Sequence, residues 1–210
     1  MRAASAIIGL ALAAGSPAAA QSRFPELAPD QMTPDQKALH DALLAGPRGS
    51  VAGPFNAWMR SPVLGDKLQK VGEQLRFHSS LPPKLNEFAI LITAVEWQAG
   101  FEWFAHHPLA LKAGLEPEVA RDLQEGRRPA AMSQDEALVY DFATELHRRH
   151  QVSDAIYAAA VARFGEQGVV DLIALLGYYT LVSMTLNVAE VQPPPDAPAT
   201  LAPPPVPVTQ

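Results

Sequence analysis

Glu102 and His106 stand four residues apart, so on a helix they share one face and can touch. A carboxylate beside an imidazole orients the ring and suits it to proton transfer near neutral pH. The plainer reading of the same spacing is a partly exposed ion pair on a helix surface. Glu87 sharpens the choice, because it falls in KLNEFAILITAVEWQ, residues 84–98, which is apolar on nearly every side. A carboxylate in such a helix needs a partner. It can find one in His106, if the chain turns near Gly100 and folds the next helix back, or in Arg76 or a backbone amide. His78 and His107 lie nearby and leave a metal-dependent enzyme as an alternative. The spacing is not that of HExxH, so neither a metal nor any other cofactor is expected.

The same 210 residues contain no cysteine, which removes thiol nucleophiles, thiolate metal sites and disulfides from consideration. A net charge of −6 speaks against nucleic acid as a partner, since phosphate binding calls for clustered Lys and Arg. Trp58, Trp97, Trp103, Tyr178 and Tyr179 are candidates for core or pocket wall. Asn187 is a candidate polar contact within an apolar helix. From these we expect Trp58, Trp103, His107, Tyr178 and Asn187 to contact a small-molecule substrate.

The elements that must position these groups read as all-α, with helix punctuation recurring and no useful strand alternation. Thr33-Pro34 with Gln36 starts a helix ending near Gly46, and a Gly/Pro-rich loop runs to Pro54. Ser61-Pro62 opens a second helix to Phe77. The buried helix at 84–98 follows, and after Gly100 comes a short one that Pro108 should bend. Pro117 to Glu125, a Ser133/Glu136 capping box and Ser153 mark three more, the last stopping at Gly165. The final helix, from Glu166 to about Glu190, is apolar enough to span a membrane. Its Asp171, Tyr178, Tyr179, Ser183 and Asn187 fit better a central helix packed on all sides.

Residues 1–20 read as a signal peptide, with Arg2, an apolar run from Ala3 to Ala14 and a small-residue cleavage site at Ala18–Ala20. The expected location is therefore periplasmic or secreted, without stable membrane insertion after cleavage. Residues 21–33 form a linker, 34–191 one helical domain, and 192–210 a Pro-rich tail expected to be disordered, extended and solvated.

The run LPPKLNEFAILITAVEWQAGFEWFAHHPLALKAGL, residues 81–115, resembles the carboxymuconolactone decarboxylase and alkylhydroperoxidase D superfamily. The resemblance rests on Glu87 early in one helix, then His106 in a short helix, Ala110 four residues on and Gly114 four after that. In looser form it extends from Gly53–Trp58 to Gly177–Asn187. It implies an all-α domain that assembles into a homo-oligomer. Peroxidase members carry a CxxC pair before the motif His, with the Glu and His as proton relay; here Ala99 and Glu102 occupy those two positions. Peroxiredoxin-type thiol chemistry is therefore unavailable. Decarboxylase members dispense with the thiols, and their pattern implies His106 as the proton-transfer residue, oriented by Glu102, with Glu87 in support. The EWxxH run departs from that pattern, so the substrate does not carry over. The expectation is a cofactor-free, lyase-like enzyme acting on a small organic acid or lactone. A non-catalytic binding or assembly module on the same fold is the alternative, alongside the metal-dependent one.

Overall fold

A computed structural model describes residues 22–198, 200 and 201. The signal-peptide reading of residues 1–20 and the end of the tail lie outside that range. Among the described residues there are helices and no strands: α1 (Pro34–Ala45), α2 (Phe55–Trp58), α3 (Pro62–Phe77), α4 (Pro83–Glu96), α5 (Gly100–Lys112), α6 (Pro117–Gln124), α7 (Gln134–Arg149) and α8 (Asp154–Ala189). A short 3₁₀ turn, Pro29–Gln31, precedes them.

Helix starts follow local chemistry. Thr33 and Ser133 each form a full capping box, with Gln36 and Glu136, that satisfies two otherwise orphaned amides. Proline opens α1, α3, α4 and α6, where its missing N–H costs nothing.

Helix α4 is the hub, packed against α5, α7 and α8. Phe88, Leu91 and Ile92 are essentially inaccessible, and each contributes roughly 1.5–3 kcal/mol by leaving water. That anchoring makes α4 a rigid base for Glu87.

The turn from α4 to α5 decides the site. Gln98 takes a left-handed conformation, φ 50°, while the Ala99 amide donates to Ala94 O at 2.8 Å and the Gln98 amide to Val95 O at 3.1 Å. These two bonds close α4 with a Schellman-type cap. Helix α5 starts two residues later, folds back on α4 and runs unbroken through Pro108. The reversal expected at Gly100 is thus made at Gln98. At the other end of α4, the buried Asn86 donates to Leu75 O at 3.0 Å and pins the last turn of α3.

Gly165, φ 72° and ψ 172°, breaks the helical backbone of α8 where a stop was expected, so Asp154–Ala189 is two helical segments meeting at a kink. Contrary to expectation, the second segment is not packed on all sides. Half of its most apolar window is buried, whereas Val170, Ile173, Leu181, Met184 and Val188 are exposed. Their spacing of three, eight, three and four residues forms one stripe. Among the described residues no further helix covers it.

The linker and tail also touch the body. The Arg23 amide donates to Ala189 O at 2.9 Å, and Asn56 Nδ2 donates to Phe24 O. Gln124 Nε2 donates to Thr200 O at 2.7 Å, and Leu201 packs partly buried against the core. The described part of the tail is therefore not wholly solvated.

Candidate active site

The fold-back of α5 on α4 brings three titratable side chains into a line. His106 Nδ1 lies 2.7 Å from Glu87 Oε2, and His106 Nε2 lies 3.4 Å from Glu102 Oε2. The imidazole thus bridges the two carboxyl groups, one at each ring nitrogen, with the shorter contact to Glu87. The orienting contact is therefore made by Glu87, not by Glu102. Glu87 is half-buried rather than enclosed, because its side chain reaches the margin of α4. Glu102 is 3% exposed and its Oε2 has no hydrogen-bond partner.

That isolation sets the protonation of Glu102. Burial disfavours the charged form and raises its pKa above the ordinary carboxylate value; the attraction of His106, Arg76 and Arg48 opposes this without overcoming it. The group is thus a buried carboxyl, shifted toward its protonated form, that faces the imidazole.

Both Glu102 and His106 open onto a cavity of about 320 Å³. Tyr178, Tyr179 and Val182 of α8 line it, together with Phe55 and Phe101. Tyr179 packs edge-on against the His106 ring, with centroids 5.1 Å apart. Burial pushes both tyrosine hydroxyls up, Tyr178 to about 12 and Tyr179 well above its ordinary value, so both are neutral donors. Two cations, Arg48 from the Gly/Pro-rich loop and Arg76 from the end of α3, complete the lining. Gly72 makes room for Arg48 and Tyr178, since a Cβ there would collide with the Tyr178 hydroxyl and the Arg48 guanidinium.

Of the residues expected to contact substrate, Tyr178 lines the cavity and four do not. Trp58 is buried one layer behind, its Nε1 donating to Thr185 Oγ1 at 3.1 Å and its ring edge-on to Tyr178. Trp103 is fully buried on the core side of α5, one residue round the helix from Glu102, and stacks on His107 at 5.3 Å. That stacking turns His107 away from the cavity. Asn187 is exposed and donates to Trp97 O at 2.8 Å, tying α8 to the α4–α5 turn. His78, at the C-terminal cap of α3, is exposed. Among the described residues no group of three or more His, Cys, Asp or Glu side chains is arranged to hold a metal ion. Tyr179, a candidate for core or pocket wall, does line the cavity, whereas Arg48, Phe55 and Phe101 had no pattern in the sequence that assigned them to a site.

The helical arrangement has solved counterparts. An alkylhydroperoxidase AhpD core, an uncharacterized peroxidase-related protein from Ralstonia eutropha JMP134, superposes with a TM-score of 0.69 at 18% identity. The match covers 84% of this chain and 94% of that one. The chain has the alkylhydroperoxidase D-like fold. An uncharacterized peroxidase-related protein from Silicibacter sp. TM1040 agrees, with TM-score 0.70, 14% identity, and coverage of 89% of this chain and 99% of that one. At these identities the likeness is one of fold. No family model and no curated protein matches the sequence. This alkylhydroperoxidase D-like domain has no cysteine, and Glu102 faces its histidine.

Proposed function

We propose that the protein is a cofactor-free acid–base enzyme, lyase-like in its chemistry, acting on a small organic acid or lactone. The observation that carries this reading is the line Glu87–His106–Glu102, with its last member buried, unbonded and facing the cavity. In this reading Glu87 holds the ring, His106 Nε2 takes a proton from the substrate, and Glu102 delivers one. A proton donor and acceptor side by side in one pocket is the arrangement that general acid–base catalysis requires. His106→Gln should keep the fold and lower turnover by about 100-fold or more, measured on whichever substrate a screen of small lactones and carboxylic acids identifies. Wild-type turnover by that variant sinks the proposal and leaves a non-catalytic binding role for this face.

Two further expectations belong to the same reading. The apolar stripe on α8 supports a homo-oligomer in which a second copy covers Val170, Ile173, Leu181, Met184 and Val188. Sedimentation should show an oligomer that Leu181→Glu converts to smaller species; a wild-type monomer at micromolar concentration counts against it. Residues 1–20 support export, which a mature N-terminus at Gln21, read by mass spectrometry, would establish.

A further inference from the structure

Arg48 and Arg76 stand apart from the other arginines of this chain. Every other described arginine has a carboxylate or carbonyl partner: Arg23, Arg121, Arg127, Arg128, Arg148, Arg149 and Arg163 form ion pairs, and Arg60 donates to Asn56 O. Among the described residues neither Arg48 nor Arg76 has one. Nε of Arg48 and Nε of Arg76 are instead buried with no hydrogen-bond partner, and Nη2 of Arg48 has only the Tyr178 hydroxyl beside it. Buried donors left open cost roughly 1–3 kcal/mol each, more when charged. Two such groups from separate elements, one on a loop and one on a helix, converge on one cavity.

Their packing keeps them there. The Arg48 guanidinium lies 5.2 Å from the Phe55 ring centroid and 6.0 Å from that of Phe77, and Arg76 lies 5.1 Å from Phe77. Cation–π contacts hold the planes without consuming the N–H donors in the ring plane. The remaining wall between the arginines and the Glu102–His106 pair includes Phe101, Tyr179 and Val182. A ligand that satisfies this site has an anionic end and a small apolar body that can pack against aromatic rings.

We propose that Arg48 and Arg76 form a carboxylate-binding subsite that anchors a small aromatic or unsaturated carboxylate, with its body extending toward His106 and Glu102. The planar fork of a guanidinium matches a carboxylate in two-point contact. This deepens the acid–base reading by naming the substrate class, but binding does not depend on the chemistry that follows.

The experiment separates the two claims. Benzoate is titrated into the full chain by calorimetry, with inorganic phosphate as the competing anion. Wild type should bind benzoate saturably at millimolar concentrations, and phosphate should displace it poorly. Arg48→Met and Arg76→Met should each raise the benzoate Kd by about tenfold or more. Arg76→Lys should fall between wild type and Arg76→Met, because a point charge lacks the fork, and it carries the test if a Met variant fails to fold. Unchanged benzoate affinity in the arginine variants, tighter binding of phosphate than benzoate, or no saturable benzoate binding by wild type overturns the subsite. Wild-type turnover by His106→Gln would overturn the acid–base reading and leave the subsite standing.

Discussion

Helices α5 and α7 flank the hub α4, and each carries one carboxylate that the fold encloses. Glu136 on α7 is 2% exposed and Glu102 on α5 is 3% exposed. Burial alone would push both pKa values up, yet only Glu102 goes that way. Glu136 ion-pairs with Lys84 Nζ at 2.8 Å and accepts from the Ser133 amide at 2.7 Å, and these contacts outweigh burial and hold its pKa low. Glu102 has an imidazole nitrogen at 3.4 Å and an open cavity, and no cation paired with it. Equal burial therefore distinguishes nothing. A carboxylate whose contacts are complete serves the fold, whereas one left incomplete in a cavity is available for chemistry.

The largest stability effect is expected where the complete site is made incomplete. Lys84→Met strips Glu136 of its cation and leaves a buried carboxylate, at a cost of about 3 kcal/mol near neutral pH. Because the folded-state pKa of Glu136 is depressed below its ordinary 4.5, the stabilisation exists above that value and is lost as pH falls through the folded one. The variant should accordingly approach wild-type stability in acid. Denaturant melts across pH measure this; a pH-independent deficit would mean that Lys84 acts through its aliphatic stem instead.

A smaller effect of opposite sign is expected at the incomplete site. The folded-state pKa of Glu102 is raised above 4.5, so its contribution is fully present below 4.5 and is lost as pH rises through the folded value. Glu102→Gln removes the group that must ionise or hold a proton, and its melting temperature should exceed that of wild type by a few degrees in alkaline buffer. The gain should shrink toward acid pH. A variant less stable than wild type at pH 8 would show that Glu102 is paired as firmly as Glu136 and would remove the basis for its role as an acid.

The contrast between these carboxylates explains what could be read in advance. Helices α1 and α7, the apolar α4 and the punctuation at Pro62 and Gly165 were legible because caps and periodicity act within a few residues. The convergence of Glu87 with His106 was legible as one possibility, since a four-residue spacing and a single turn limit the outcomes. Arg48 was not legible: it lies in an irregular loop, and its neighbour Tyr178 is on the far helix α8. Trp58, Trp103, His107 and Asn187 were assigned to the pocket by chemical type. Which way each faces depends on helix phase and on α8, where the apolar pattern runs round the whole circumference and marks no inner side. The uncovered stripe on α8 is the same ambiguity seen from outside.

The smallest effect is expected at the turn that sets Glu102 and His106 opposite Glu87. Gln98 is a non-glycine residue at φ 50°, a conformation that costs an L-residue roughly 1–2 kcal/mol. Glycine would relieve that strain, but it would also add about 0.5–1 kcal/mol of backbone entropy to the unfolded chain. The substitution also forfeits the exposed bond from Gln98 Nε2 to Val95 O, 2.7 Å long, of about 0.5 kcal/mol. These terms nearly cancel, so Gln98→Gly should change stability by less than about 1 kcal/mol, because the cap's two backbone bonds remain. Gln98→Val should instead destabilise by more, since a β-branched side chain tolerates the left-handed region worst. If Gln98→Gly leaves stability unchanged but lowers turnover, the rigidity of this turn is a requirement of the Glu87–His106 contact. If it changes neither, the packing of α5 on α4 holds the contact by itself.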